Sequence, residues 1–319
     1  MVLIKIRLQE DLFRLFDTDF SPATSPVTNI LKTGQSLVID TSLEVFDLNN
    51  FARKHAFTVP VFDILSECCK CAGVSTNNIY WLTPVAEHQA IHRYTFNGTL
   101  LEYHNSSKPT VNFRPSADVH FLSLNNHPRP HREKLVEFLE SSGIKDKSLY
   151  SYNPQGVQNQ RSVVLDEQFT TGNKLDKLDS VPAYVWEGTL ISIVTETIFA
   201  EPIVFPTEKT WKVFDKFHFP VFVSCAGFVS RIRELGFDVF DDYIDHSYDT
   251  IQDNTERLTA VFKVIEDLSK RDISELNHIK SLCQKRLIDN KMHLRKHTTS
   301  EIMKLDMYLD SLKRVVTHR

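Results

Sequence analysis

The chain has 319 residues, of which 41% are hydrophobic, 24% charged and 11% aromatic. This balance excludes a disordered, collagen-like or fibrous protein, and the length exceeds the roughly 100–200 residues one core usually organises, so two domains are expected. A net charge of −4 argues against a generally basic nucleic-acid binder, and no apolar run reaches the roughly 18–20 residues of a membrane span, so a soluble cytoplasmic protein without a membrane partner is expected.

In chain order, Met1 to Gln9 alternates like a strand and lacks the cationic and apolar regions of a signal peptide. Leu37 to Ile39 predicts a short strand ending in Asp40, Phe51 to Cys71 has helix-like apolar spacing, and Asn78 to Leu82 predicts a second strand. Strands alternating with helices point to a parallel sheet. The polar stretch Glu102 to Ser116 is the first break long enough to be a linker, which places a domain boundary near residue 115.

The next region is clearer. Phe121 to Leu124 predicts a strand, Asn125 to Pro130 a loop, and His131 to Ser142 a helix with Leu135, Val136, Phe138 and Leu139 on one face and Gly143 at its end. A polar stretch follows from Ser151 to Ser180, with a strand expected at Val163 to Leu165. Leu190 to Val194 predicts a strand, Thr207 a helix start, Phe219 to Val223 a strand, Phe228 to Leu235 a helix closed by Gly236, and Val239 to Phe240 a last short strand. From Thr255 the spacing is helical, with breaks expected around Asp272 and Thr298.

The mild net charge hides an asymmetry. From Lys280 to Arg319 there are ten Lys or Arg against four acids, so this segment carries +6 and the rest −10. A basic helix face of this kind neutralises phosphates, which brings DNA into view as a partner; the alternative is a solvated face on a helix packed through its other side. Of the five cysteines, Cys68-x-x-Cys71 has the spacing of a zinc or redox pair but no second pair, so packed free thiols are the expectation. His88 and His92 would share a face only if helical, and His293 and His297 read as part of the charged tail face.

No two of the nine glycines are spaced G-x-G, and Walker-type Gly-Lys-Ser/Thr, G-x-S-x-G and H-E-x-x-H are all missing. Two places remain where chemistry converges. Arg129, His131 and Arg132 open a helix after a strand, where free N–H groups and a partial positive charge suit phosphate oxygens. Glu196 follows a second strand, and Thr207 caps a helix whose first turn holds Glu208 and Lys209, a carboxylate for a ribose diol beside a cation for a diphosphate. Surface arginines and an ordinary capped helix are the plain alternatives. Asp241, Asp242, Asp245 and Asp249 form an acidic run, read as turn caps and solvated charge in preference to a metal site.

The order FLSLNNHPRPHREKLVEFL, LISIVTET, FPTEKTWK, HFPVFVSCAGFVSRIRELGF and FDDYIDHSYD resembles a family of phage-encoded glycosyltransferase-like proteins over residues 78 to 257, and more distantly the donor half of α1,3-fucosyltransferases. The resemblance implies a GT-B-like α/β fold: a Rossmann-like acceptor domain over 1–115, a Rossmann-like donor-nucleotide domain over 116–257, and a basic helical segment over 258–319. It implies a UDP-, GDP- or CMP-linked sugar donor held by Arg129, Arg132, Glu196, Glu208 and Lys209, with Arg132 and Lys209 on the phosphates and Glu208 on the ribose. Phe205 stands where the fucosyltransferase pattern has a nucleotide-contacting Tyr. The implied transfer is inverting and needs no metal, so its base is sought among Glu87, His88, Asp40 and Glu44, with Glu87 closest to the Leu82-Thr83-Pro84 element that loosely matches the family's base-bearing segment. The acceptor hydroxyl implied is a 5-hydroxymethylated pyrimidine in DNA, such as hydroxymethylcytosine, in an infected host's cytoplasm. A glycan or protein acceptor, or a non-catalytic protein that retains the nucleotide fold, stays open beside it.

Overall fold

The computed structural model describes residues 2–5, 21–41, 51–54, 57–83, 92–106, 110–125, 128–152 and 181–317. It is a mixed α/β structure with parallel sheets, and the chain divides into two compact units, Met1–Leu101 with Thr299–Arg319, and Glu102–Thr298. The boundary read from composition lay near residue 115, within the second unit. The tail read as one segment is shared between the two.

In the first unit the described elements are β1 (Val2–Lys5), α1 (Pro26–Lys32), β2 (Leu37–Asp40), β3 (Phe51–Lys54), β4 (Phe57–Pro60), α2 (Val61–Ala72), β5 (Ile79–Thr83), β6 (His92–Thr95) and the start of α3 (Gly98–Asn105). Strands β1, β2, β5 and β6 form a parallel sheet in that spatial order. The period-two alternation of strand side chains explains its layers. Leu37, Ile39, Ile79 and Trp81 face Val27 and Leu31 of α1 and Ile64, Leu65 and Cys68 of α2. Val38, Tyr80 and Leu82 face the other way, onto Leu305, Tyr308, Leu309 and Leu312 from the chain's last helix, where Tyr308 stacks on Tyr94 at 4.4 Å.

Three expectations change here. The helix over 51–71 is an antiparallel hairpin, β3 with β4, followed by a helix that starts only at Val61. Pro60 explains this: it has no N–H and its ring blocks the preceding turn, so a helix can begin just after it but not run through it. His92 lies in β6, so it is not one of a helical i, i+4 pair. The expected linker at 102–116 opens inside α3.

In the second unit, β7 (Val119–Leu124), α4 (Pro130–Ser141), β8 (Ser148–Ser151), α5 (Ala183–Glu187), β9 (Thr189–Thr195), α6 (Glu208–Asp215), β10 (Phe219–Val223) and α7 (Phe228–Glu234) lead into α8 (Asn254–Lys270), α9 (Ile273–Leu282) and α10 (Gln284–Thr317), the last continuing into the first unit. The sheet is all parallel in the order β10-β9-β7-β8. Every residue of β9 and β10 is buried, as a parallel strand covered on both faces requires. Val239 and Phe240 form no strand, because Phe240 sits at φ 64°, in the left-handed region that extended backbone excludes. The break near Asp272 is present, with Asp272 capping α9, whereas α10 passes unbroken through Thr298. That hydroxyl donates to the Leu294 carbonyl one turn back (2.8 Å), so a β-branched polar residue is accommodated inside the helix.

Candidate functional site

The second sheet fixes where a ligand crevice belongs. From β7 the chain moves to β8 on one side, then crosses back to β9 on the other side and continues outward to β10. Connections therefore leave the carboxyl ends of β7 and β9 in opposite directions, the topological switch point where ligands bind in open α/β sheets.

The floor of that crevice is polar and closed by hydrogen bonds. Asn125, directly after β7 and buried, donates through Nδ2 to Ser123 Oγ (3.0 Å) and accepts from Thr195 Oγ1 (2.5 Å), while its backbone N–H reaches Ser151. One side chain thus ties together the ends of β7, β8 and β9. Glu196, directly after β9, is fully buried. Its carboxylate accepts from Thr207 N (3.0 Å), Thr207 Oγ1 (2.6 Å), Thr210 Oγ1 (2.6 Å) and Thr197 N (3.3 Å). These bonds commit Glu196 to hanging the start of α6 from the end of β9, so it positions the site instead of reaching a ligand.

The other wall is the N-terminus of α4. Arg129 takes the N-cap position in extended backbone and is exposed, with Pro130 behind it at the first helical position, where its missing N–H costs nothing. His131 is buried, its Nε2 donating to the Glu196 carbonyl at 2.9 Å and its ring stacked on Phe199 at 5.0 Å. Burial holds its pKa down to about 4, and the neighbouring Arg132, Arg129 and Lys209 push the same way. At neutral pH it is an uncharged Nε2–H tautomer. Arg132, also buried, donates through Nη2 to the Thr195 carbonyl (3.2 Å), and burial followed by repulsion from Arg129 lowers its pKa to about 10.

The first turn of α6 completes the cluster. Thr207 caps it, accepting from Lys209 N, as the sequence predicts, and Trp211 is packed inside. Lys209 Nζ lies 3.1 Å from Glu208 Oε1 and 3.0 Å from Thr207 Oγ1, with about a quarter of its side chain exposed. Burial pushes the Glu208 carboxyl up, but Lys209 and Lys212 outweigh it and bring its pKa to about 2. Arg129, Arg132, Glu196, Glu208 and Lys209, expected to act together, are brought together around His131.

Two residues missed in the sequence support this arrangement from behind. Phe199 lies between His131 and the guanidinium of Arg257, which is 4.7 Å from its ring. Arg257 is buried and donates to the carbonyls of Ser224, Ile251, Gln252 and Phe199 and to Asn254 Oδ1. Its signal was in the sequence: Arg257 falls in register with Val261, Ile265 and Leu268 on the buried stripe of α8.

The remaining calls fall elsewhere. Glu87, Glu44, His88, Asn126 and the strand at 163–165 lie outside the described residues, and Asp40 ends β2 in the first unit. The acidic run is engaged as turn and cap chemistry. Asp249 accepts from Val229 N and Ser230 N at the start of α7, Asp245 from Ser247 N, and Asp241 pairs with both Arg233 and His246. No group of three or more potential metal ligands occurs among the described residues. Cys68 and Cys69 are buried free thiols and Cys71 is exposed. His293 and His297 do not form a charged face: His293 Nε2 donates to the Leu235 carbonyl at 2.7 Å, and both rings pack against Phe237.

The basic tail is also corrected. Arg286 makes bidentate contacts with both Asp238 and Asp242, Lys291 pairs with Asp215, Lys285 with Asp289 and Lys304 with Glu301, and Lys280 is buried. Of the counted +6, Arg286 and Lys291 are answered by carboxylates from outside the segment and Lys280 is withdrawn from solvent. No helix among the described residues is long and apolar enough to cross a membrane.

Comparison with protein-family models and with curated proteins finds no match to this chain.

Proposed function

We propose that the second unit binds a nucleoside-diphosphate sugar and that the protein is a GT-B-like glycosyltransferase acting on an acceptor hydroxyl. The observation that carries this reading is the meeting of Arg129, Arg132 and Lys209 at the switch point of a parallel sheet, beside Glu208. The residues fit a diphosphate. Three cations lie near one another beside the N-termini of α4 and α6, the neutral tautomer of His131 avoids adding a charge to the buried floor, and Glu208 is held ionised as an acceptor for a ribose diol. Charge developing on a leaving diphosphate would be stabilised by Arg129 and Lys209, the two cations with solvent access, while Arg132 holds the end of β9 and Glu196 the start of α6.

The acceptor is supported more narrowly. A hydroxymethylated pyrimidine in DNA stays within the proposal, although five of the ten tail cations, Lys280, Lys285, Arg286, Lys291 and Lys304, are paired within the chain or buried. A second reading, a nucleotide-binding protein without transfer activity, is favoured by the commitment of Glu196 and Glu208 to hydrogen bonds and an ion pair, which leaves neither of them as a base.

Thermal unfolding with UDP-, GDP- and CMP-sugars tests the donor site. A donor present at about 100 times its Kd should stabilise the protein by about 2.7 kcal/mol, and Lys209→Ala and Arg129→Ala should each raise that Kd about tenfold, as expected when a charge-assisted phosphate contact is lost. No shift with any donor would remove the proposal. Donor binding with no change in nucleoside mass after incubation with hydroxymethylcytosine DNA would remove the DNA acceptor and leave the donor site standing.

A further inference from the structure

The ring of His131, buried at the start of α4, is fixed from two directions. Nε2 donates to the Glu196 carbonyl at 2.9 Å, and one face stacks on Phe199 at 5.0 Å, with the Arg257 guanidinium 4.7 Å from that phenyl ring. With Nε2 committed as a donor, a further proton can go only to Nδ1. That nitrogen takes part in no hydrogen bond among the described residues and is not sealed from solvent.

The charged groups around it hang from the same strand end. Arg132, the next residue, donates to the Thr195 carbonyl at 3.2 Å, and Arg129 is the N-cap of the same helix, its carbonyl accepting from Arg132 N at 2.9 Å. Lys209 Nζ lies 3.0 Å from Thr207 Oγ1, and that hydroxyl donates to the Glu196 carboxylate at 2.6 Å. The two carboxylates of the cluster are already engaged, Glu196 by four hydrogen bonds and Glu208 by Lys209 at 3.1 Å. His131 is thus a buried base among cations, which together with burial keeps it neutral down to about pH 4.

An oxyanion changes the sign of that field. Placed against Arg129 and Lys209, the two cations with solvent access, it brings negative charge close to a ring whose proton three positive charges had opposed. We infer that an oxyanion bound in this cluster is bound together with one proton, which leaves solvent and forms an N–H bond at His131 Nδ1. The ring becomes an imidazolium while Nε2–H stays on the Glu196 carbonyl, so a fourth cation joins the site only when an anion is there to balance it. The donor site therefore tightens in mild acid and gives up a proton to solvent when the diphosphate leaves. This inference rests on the reading of the cluster as a phosphate site.

The test uses the full chain and inorganic sulfate, a dianion that does not itself titrate in the range used. Binding of radiolabelled sulfate is measured by equilibrium dialysis at constant ionic strength, and the component belonging to the cluster is the part lost in Arg129→Ala. That component should tighten about tenfold between pH 7.5 and pH 5 in the wild type. It should be indifferent to pH in His131→Gln, whose amide can still donate to the Glu196 carbonyl but cannot titrate. If His131→Gln does not fold, proton uptake is read directly: sulfate replacing chloride in an unbuffered wild-type solution at pH 5.5 should consume about one proton per sulfate bound, and none in Arg129→Ala. Binding indifferent to pH, tightening that persists in His131→Gln, or sulfate bound without proton uptake would each overturn the inference and leave the phosphate site standing. Sulfate binding that Arg129→Ala does not reduce would remove both the inference and the reading beneath it.

Discussion

The two parallel sheets differ in one topological respect, and the chemistry at their carboxyl edges differs with it. In the first unit the strands follow one another across the sheet in chain order, β1, β2, β5, β6. The ends of β2 and β5 are closed by one residue, Thr41, whose N–H and hydroxyl both donate to the Leu82 carbonyl while Trp81 Nε1 donates to its oxygen. In the second unit the order reverses at β7, and the same edge holds a buried amide, a buried carboxylate, a buried imidazole and a buried guanidinium. A progressive strand order has no switch point. A reversing order has one, and two helix starts meet there, whose free N–H groups and hydroxyls call for polar partners. Substitutions at the two edges should therefore have very unequal effects.

The largest effect is expected for Glu196→Ala. It leaves the N–H of Thr197 just after β9, and the N–H of Thr207 and the hydroxyls of Thr207 and Thr210 at the start of α6, without their acceptor, a loss of about 3–5 kcal/mol from the second unit by the cost of orphaned donors. Urea unfolding followed through Trp186 and Trp211, with Trp81 replaced by Phe so that the signal comes from the second unit, measures it. A loss under about 1 kcal/mol would mean that the crevice floor is not the element holding α6.

Acid should separate the units next. His131 titrates near 6.5 when unfolded and at about 4 when folded, so between these values the unfolded chain binds the extra proton and stability falls as pH falls. The linkage amounts to about 3 kcal/mol lost by pH 4. His218, held at about 3, acts in the same direction, and Glu208 adds a loss as pH drops from 4.5 toward 2. In the first unit the perturbed groups among the described residues are Cys69, Lys70, Tyr94, Lys304 and Tyr308, all raised and so titrating well above this range. The tryptophan signals of the two units should therefore part below pH 6, and His131→Phe should bring them closer. Coincident transitions down to pH 4 would remove the contrast.

How much of this was legible follows the same division. The strands and helices of the second unit stood out because both-faces-buried strands read as apolar runs, and because Thr207 and Gly143 occupy cap positions with clear local chemistry. In the first unit a helix was extended through Pro60, and α1 was passed over although Ser25 and Pro26 supply its N-cap and first position. The site residues were legible as a set but not in their division of labour: whether Glu196 faces a ligand or Thr207 and Thr210 depends on how the segment between β9 and α6 folds back. The tail was misjudged for a similar reason. Asp238 and Asp242 lie more than forty residues before Arg286, and no count along the chain pairs them.

Glycine substitutions sharpen the comparison at smaller magnitude. Gly236 has φ 91°, and a Cβ there would meet the His293 imidazole at 2.9 Å, a ring held in place by the Leu235 carbonyl and Phe237. Gly236→Ala should cost about 2 kcal/mol, combining backbone strain with that collision. Gly73 in the first unit has φ 72° and open space around it, so Gly73→Ala should cost about 1 kcal/mol from strain alone. Equal losses would show that His293 yields without cost.

The smallest effect belongs to the edge of the sheet whose strand order does not reverse. Thr41→Val keeps the shape of the side chain and the backbone bond to Leu82 but removes the oxygen that accepts from Trp81 Nε1 at 2.7 Å. One orphaned donor, with its neighbour still packed, should cost about 1 kcal/mol, several-fold less than Glu196→Ala. The two variants remove the same kind of group, a buried acceptor just beyond a parallel strand. They differ in how many elements depend on it: Thr41 receives one indole, whereas Glu196 receives the whole start of a helix. If Thr41→Val proved as damaging as Glu196→Ala, the topology of the sheet would have no bearing on where this chain places its essential polar groups.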